Sequence, residues 1–320
     1  MNKVPFYFPL ANGRYEVRPG LYSLGENFEN NPLDQFIFQI DSKYPEYIQD
    51  KRRTLKESHQ KYFCTDNPSL QSLVQISVYI ARQLCLEYPE YFKLEENLDH
   101  IILHCNALTS QKQQDIYLPV SAKNTDLNQI KAVINNLMLQ VQEDLAIIEL
   151  KKDGQDFISL LHLSYPNHWS AEEKIGSSFI EAHSPVPNME SINNRSQQLL
   201  SALIHKGPYV RFAWGLSTDQ KLNHHQTDND MKAISQGREF ISADPALFLR
   251  VERQITVGFP EEYCFLFTIR TYHYNVADLK KNSMYCDALV SAVSSMSDET
   301  LKYKGLINDR EEILKWLNQH

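Results

Sequence analysis

A chain of 320 residues, 42% of them hydrophobic, is long enough to bury a large core in one domain or two. Its 32 basic and 40 acidic residues leave a net charge of -8, without the concentrated basic face that a nucleic-acid binder needs. No apolar run approaches the roughly 20 residues that span a bilayer, and Pro5 and Pro9 interrupt any signal-peptide core, so a soluble cytoplasmic protein is expected.

Residues 1–40 are rich in proline, glycine and aromatics and predict extended segments wrapping a core. From Pro45 to about Phe63 the pattern is helical and highly charged, with Lys51-Arg52-Arg53 read as its solvated side. Asn67-Pro68 opens a second helix, buried through Leu70, Leu73, Val74, Ala81 and Leu84 and ended by Pro89. His100 and His104 have metal-ligand spacing if they sit on a helix. The Ile-Ile-Leu between them fits a strand equally well, and structure is the expected role. Leu127, Ile130, Val133, Leu137 and Val141 stripe another helix, over residues 125–144. Residues 1–140 thus read as a largely helical part wrapping the core of a single domain, 1–320.

Residues 145–150 and 156–163 predict strands joined through Asp153-Gly154, a hairpin turn. The hairpin leads into SYPNHWSAEEKIGSSFIEAHSPVP, residues 164–187. Ser170 and Glu173 make a capping-box pattern, and Ile175, Phe179 and His183 share one face of the helix it predicts. Ser184 precedes Pro185, so that helix stops near His183. An imidazole at the end of an apolar stripe suits a flat apolar cofactor with a central metal. A plain helix cap is the alternative, and His168 is a rival ligand.

Beyond it lie a helix over 197–205 and a strand over 209–216 carrying Arg211 and Trp214. Residues 217–240, with His224 and His225, read as a mobile surface loop or lid. Residues 247–255 and 263–271 alternate as strands, and the first sets Arg250, Glu252 and Gln254 opposite Leu249 and Val251. Two helices finish the chain. The whole predicts an α+β fold, an antiparallel sheet with helices packed on it. The five scattered cysteines include no C-x-x-C pair, and no G-x-G-x-x-G or Walker loop occurs. Electrons for any reductive oxygen chemistry are therefore expected from another protein.

Several separated runs resemble one family: Gln142-Glu143-Asp144-Leu145, Pro166-Asn167-His168-Trp169, Glu173-Lys174-Ile175-Gly176, Ala182-His183-Ser184-Pro185-Val186-Pro187, Leu249-Arg250-Val251-Glu252-Arg253-Gln254, Phe267-Thr268-Ile269-Arg270 and Tyr303-Lys304-Gly305. Together they are similar to the haem-dependent oxidative N-demethylases, the haem-binding subunits of the dimethylamine monooxygenase type. The resemblance implies a PAS-like pocket with b-type haem (heme b) on a histidine. It also implies a secondary or tertiary amine substrate, O2, and a separate flavin or iron–sulfur reductase. Within it His183 is the expected iron ligand, with Ile175 and Phe179 against the ring. Arg250 and Arg253 are the expected propionate partners, and Glu252 and Arg211 the candidate catalytic residues. Glu252 could hold a cationic amine, with Trp214 adding cation–π attraction. A haem or small-ligand sensor without catalysis is the alternative. A helix dipole favouring imidazolium at His183 implies ligation that weakens below about pH 6.

Overall fold

Among the described residues, ten strands and the helices between them are arranged around one large sheet. The structure, a computed structural model, describes residues 1–10, 12–26, 28, 32–98, 100–106, 108, 113–225 and 237–319. The N-terminal part contributes β1 (Tyr22–Ser23), α1 (Tyr44–Glu57), α2 (His59–Tyr62), β2 (Phe63–Thr65), α3 (Leu70–Glu87), β3 (Phe92–Glu96), β4 (His100–Cys105), β5 (Gln114–Pro119) and α4 (Leu127–Met138). Then come β6 (Asp144–Leu150), β7 (Asp156–His162), α5 (Ala171–Lys174), α6 (Phe179–Ala182), α7 (Glu190–Asn193), α8 (Ser196–His205), β8 (Tyr209–Ser217), β9 (Phe248–Phe259) and β10 (Cys264–Asn275). Seven strands pair antiparallel in the order β1-β8-β9-β10-β6-β7-β2, an α+β architecture.

The N-terminal part is less helical than its periodicity suggested, because β3, β4 and β5 form a second sheet. On β4, Ile101, Leu103 and Cys105 point into the core, and the Nδ1 of His104 bonds Asp115 at 2.9 Å. His100 and His104 are therefore strand residues, without the helical spacing that could pair them on a metal. Ser69 caps α3, accepting from the Ser72 N–H, and Leu73, Val74, Ala81 and Leu84 are fully buried as their spacing implied. Lys51 departs from its expected place on a solvated helix side. It is 0% exposed and donates to the carbonyls of Met138 (3.1 Å) and Glu143. A buried ammonium keeps its charge only where such acceptors replace water.

The run Gln142-Glu143-Asp144 ties three segments to the sheet. Gln142 accepts from the Asp41 N–H at 3.0 Å and Glu143 from the Gln39 N–H at 2.8 Å. Asp144 takes the N–H groups of Ser164 (2.8 Å) and Tyr165 (2.7 Å), and so fixes where the chain leaves the hairpin.

One face of the sheet packs under α1, α3 and α4, with Ile255, Val257 and Leu266 in the same cluster. The opposite face carries Ala146, Phe265 and Phe267, covered by Ala171 of α5, Phe179 of α6, and Leu200, Leu203 and Ile204 of α8. Beyond β10 the described residues hold four helices, not the expected two: Val276–Leu279, Ser283–Ser294, Asp298–Lys304 and Arg310–Leu317. Asn282 and Ser297 supply caps that divide what periodicity alone joined. Among the described residues no helix is long and apolar enough to cross a membrane.

Candidate functional site

The segment after the hairpin is held at its start by Asp144 and by Arg250, which donates to the Tyr165 carbonyl at 2.9 Å. Ser170 then caps α5 as its spacing predicted, but the helix ends after one turn. Ile175 is extended (φ -60, ψ 135) and Gly176 is left-handed at φ +80. Ser178 starts α6 with its own capping box to Glu181. The single helix expected from Ser170 to His183 is thus two separate turns, because Gly176-Ser177-Ser178 both breaks the first and caps the second. Ile175 therefore packs with the Ala146–Leu161–Leu163 cluster, and Phe179 with the Leu200–Phe265 cluster.

His183 follows α6 and lies part-buried against Phe179, ring centroids 4.4 Å apart at 36°. Its Nδ1 is 2.8 Å from the Phe179 carbonyl oxygen. A carbonyl can only accept, so Nδ1 carries the proton and Nε2 keeps its lone pair. The Nδ1 bond is the one hydrogen bond of the ring among the described residues, which leaves Nε2 without a partner there. Burial is the main force lowering the His183 pKa, with the Arg211 and Lys174 charges adding and the Phe179 bond opposing. The expected helix-dipole stabilisation of imidazolium is overturned here: α6 is one turn long, and desolvation wins.

On the sheet face behind this loop, Arg211 of β8 pairs across from Gln254 of β9, and Ala213 from Glu252. Glu252 accepts from Gln254 Nε2 at 3.0 Å and lies 3.5 Å from Arg250 Nε. Arg211 makes no hydrogen bond or ion pair among the described residues, and its Nε is buried. Lys304, at the end of the Asp298–Lys304 helix, donates to the Trp214 carbonyl at 2.8 Å and lies over the rings of Tyr15 (5.5 Å) and Tyr303 (5.6 Å). Burial drives its pKa down to about 8, against the pull of Glu252 and with the push of Arg238 and Arg211. A cavity of about 400 Å³ lined by Tyr15, Glu16, Arg18, Asn188, Ser297 and Thr300 opens beside this group.

The structure does not bring every sequence-predicted residue here. Arg253 points to the other face of β9 and donates to the carbonyls of Asp34 (3.0 Å) and Phe36 (2.8 Å). Trp214 is likewise on the far side of β8, its ring edge-on to Tyr15. Arg250 stays on the near face but spends its guanidinium on the carbonyls of Leu222 (3.0 Å) and Tyr165. Tyr15, Lys304 and Arg238 were not singled out by sequence reasoning; for Lys304 the only signal was its place in the Tyr-Lys-Gly run.

His168 adopts φ +61 and stacks on His224 at 5.0 Å and 9°. His224 is 0% exposed and bonds Asp219 at 2.8 Å, which corrects its reading as part of a surface loop. Of that expected lid, residues 226–236 lie outside the described residues. The Nδ1 atoms of His168 and His224 and the Nε2 of His273 are buried without partners. Burial, with Arg238 adding, pushes His168 down to about 3. No group of three or more His, Cys, Asp or Glu residues among those described is placed to hold a metal ion. A porphyrin brings its own equatorial nitrogens, so iron held in one needs only a single fixed imidazole from the chain. His183 offers that donor, and Arg211 offers an unpaired cation within its electrostatic reach. The family model described as haem-dependent oxidative N-demethylase, alpha subunit-like, matches residues 30–314, and the chain belongs to this family.

Proposed function

We propose that the chain binds haem b through Nε2 of His183 and acts as an N-demethylating monooxygenase on a small secondary or tertiary amine. With O2 and electrons from a separate flavin or iron–sulfur reductase, the N-methyl group leaves as formaldehyde. The observation that carries this reading is the His183 ring, whose Nδ1–H is committed to the Phe179 carbonyl while Nε2 stays free. When bound, the haem supplies the oxygen chemistry; the chain supplies binding, orientation and electrostatics.

Phe179 holds the imidazole in place, and its neighbours Phe265, Phe267 and Ile148 give the pocket a dry apolar wall. Ile175 extends that wall from the adjoining cluster. Glu252 is the carboxylate that holds the amine as an ammonium, oriented by Gln254. Arg250 ties the Tyr165 and Leu222 segments over the site. The five-strand run β8-β9-β10-β6-β7, with α5 to α8 inserted between β7 and β8, is read as a PAS-like pocket within one unit spanning 1–320.

The test is formaldehyde release by haem-loaded protein given NADPH, a suitable reductase and dimethylamine. Amine-dependent release that vanishes without the reductase is expected. Reductase-driven O2 uptake with no formaldehyde from any methylamine tried would contradict the reading.

A further inference from the structure

The cations around Glu252 outnumber their partners. Arg211, Arg238 and Lys304 all lie within electrostatic reach of Glu252 or of one another. Arg250 already stands 3.5 Å from that carboxylate. Arg211 has no acceptor among the described residues. Among the described residues Lys304 has one neutral carbonyl and the faces of Tyr15 and Tyr303, and Arg238 has one carbonyl, that of Tyr303 at 3.3 Å, with its Nε buried and unpartnered. All three side chains are half-buried, and crowding partly desolvated cations that lack carboxylate partners is unfavourable, so an anion that joins them is favoured. The two arginines that sequence alone offered for this task, Arg250 and Arg253, have their guanidinium groups bonded to backbone carbonyls.

We propose that Arg211 and Lys304, with Arg238 beside them, form a carboxylate-binding subsite that holds the propionate side chains of the haem, Arg211 linking it to His183. The inference rests on the haem reading above and deepens it. Arg211 is the principal anchor, because it is both unpaired and nearest in electrostatic terms to His183. The lowered pKa of Lys304, about 8, fits an ammonium waiting for an anion. Once propionates neutralise these cations, Glu252 is left free to attract an ammonium, so the amine binds after the haem.

The experiment titrates apoprotein with haem and with haem dimethyl ester, which keeps the ring and iron but carries no carboxylates. Wild-type protein is expected to bind haem at least about tenfold more tightly than the ester, the scale of one charge-assisted bond. Arg211→Met and Lys304→Met are each expected to lose about that factor for haem and to bind the ester as wild type does, which also reports an intact pocket. Equal wild-type affinity for haem and ester would overturn the subsite and leave the haem reading standing. Binding of neither compound by folded protein would overturn the haem reading itself. The wild-type comparison needs no variant, so a misfolded mutant does not spoil it. Excess acetate or N-methylglycine weakening amine binding, with ester and haem bound alike, would assign the cations to a substrate carboxylate instead.

Discussion

Replacing Gly258 with alanine is expected to lever α8 off the sheet. A Cβ at this position of β9 would lie 2.0 Å from the Ile204 carbonyl oxygen and 2.6 Å from that of Leu203. Ordinary carbon–oxygen contact begins at about 3.3 Å, so the last turn of α8 must retreat by about 1.3 Å. Both obstructing atoms are backbone, so no rotamer change relieves the clash. Overpacking costs about 1–3 kcal/mol, and the upper end is expected here, lowering Tm by roughly 6–12 °C at about 2–4 °C per kcal/mol. Leu200, Leu203 and Ile204 share a cluster with Phe179, the residue that seats His183, so haem affinity should fall with stability. Thermal unfolding followed by circular dichroism and a haem titration read the two effects. A Tm within about 1 °C of wild type would refute the seating of α8 on β9.

Other perturbations separate fold from site. Asp41→Asn leaves the buried Arg270 without the carboxylate it holds at 2.8 Å, and a loss of about 3–5 kcal/mol is expected in denaturant unfolding. Glu252→Gln should weaken amine binding about tenfold while leaving the haem absorption spectrum unchanged; unaltered amine affinity would move the ammonium site elsewhere. Burial holds folded His168 and His273 at about 3, below the roughly 6.5 of the unfolded chain. The unfolded state therefore takes up protons first, and this contribution to stability is lost as pH falls from about 6.5 toward 3. His168→Asn, which tolerates the left-handed backbone, should shift acid unfolding to lower pH, and an unchanged midpoint would argue against a buried neutral imidazole.

Much of the sheet was legible because its signals are local. Asp153-Gly154 turns the hairpin, with Gly154 at φ +84, and the alternation in β9 put Arg250, Glu252 and Gln254 on one side. The same alternation places Arg253, an odd step away, on the opposite face, though a shared motif suggested a shared role. The break at Gly176 was also written in the sequence, but a three-residue spacing from Ser170 and an apolar stripe overrode it. Burial of Lys51 was not legible: its acceptors are carbonyls of Met138 and Glu143, which only the fold brings near. Lys304 is distant from Arg211 and Glu252 in sequence, and no periodicity links a C-terminal helix to a strand face.

Which imidazole nitrogen meets the iron decides how the protein works, and the haem spectrum of two variants tests that most directly. Wild-type protein reconstituted with haem should give a histidine-ligated Soret band. His183→Ala should lose haem or shift to a weakly ligated form, while His168→Ala, which removes a ring stacked on His224, should keep the wild-type spectrum. A normal spectrum in His183→Ala with a lost or shifted band in His168→Ala would contradict the assignment and leave His183 as the cap of a one-turn helix.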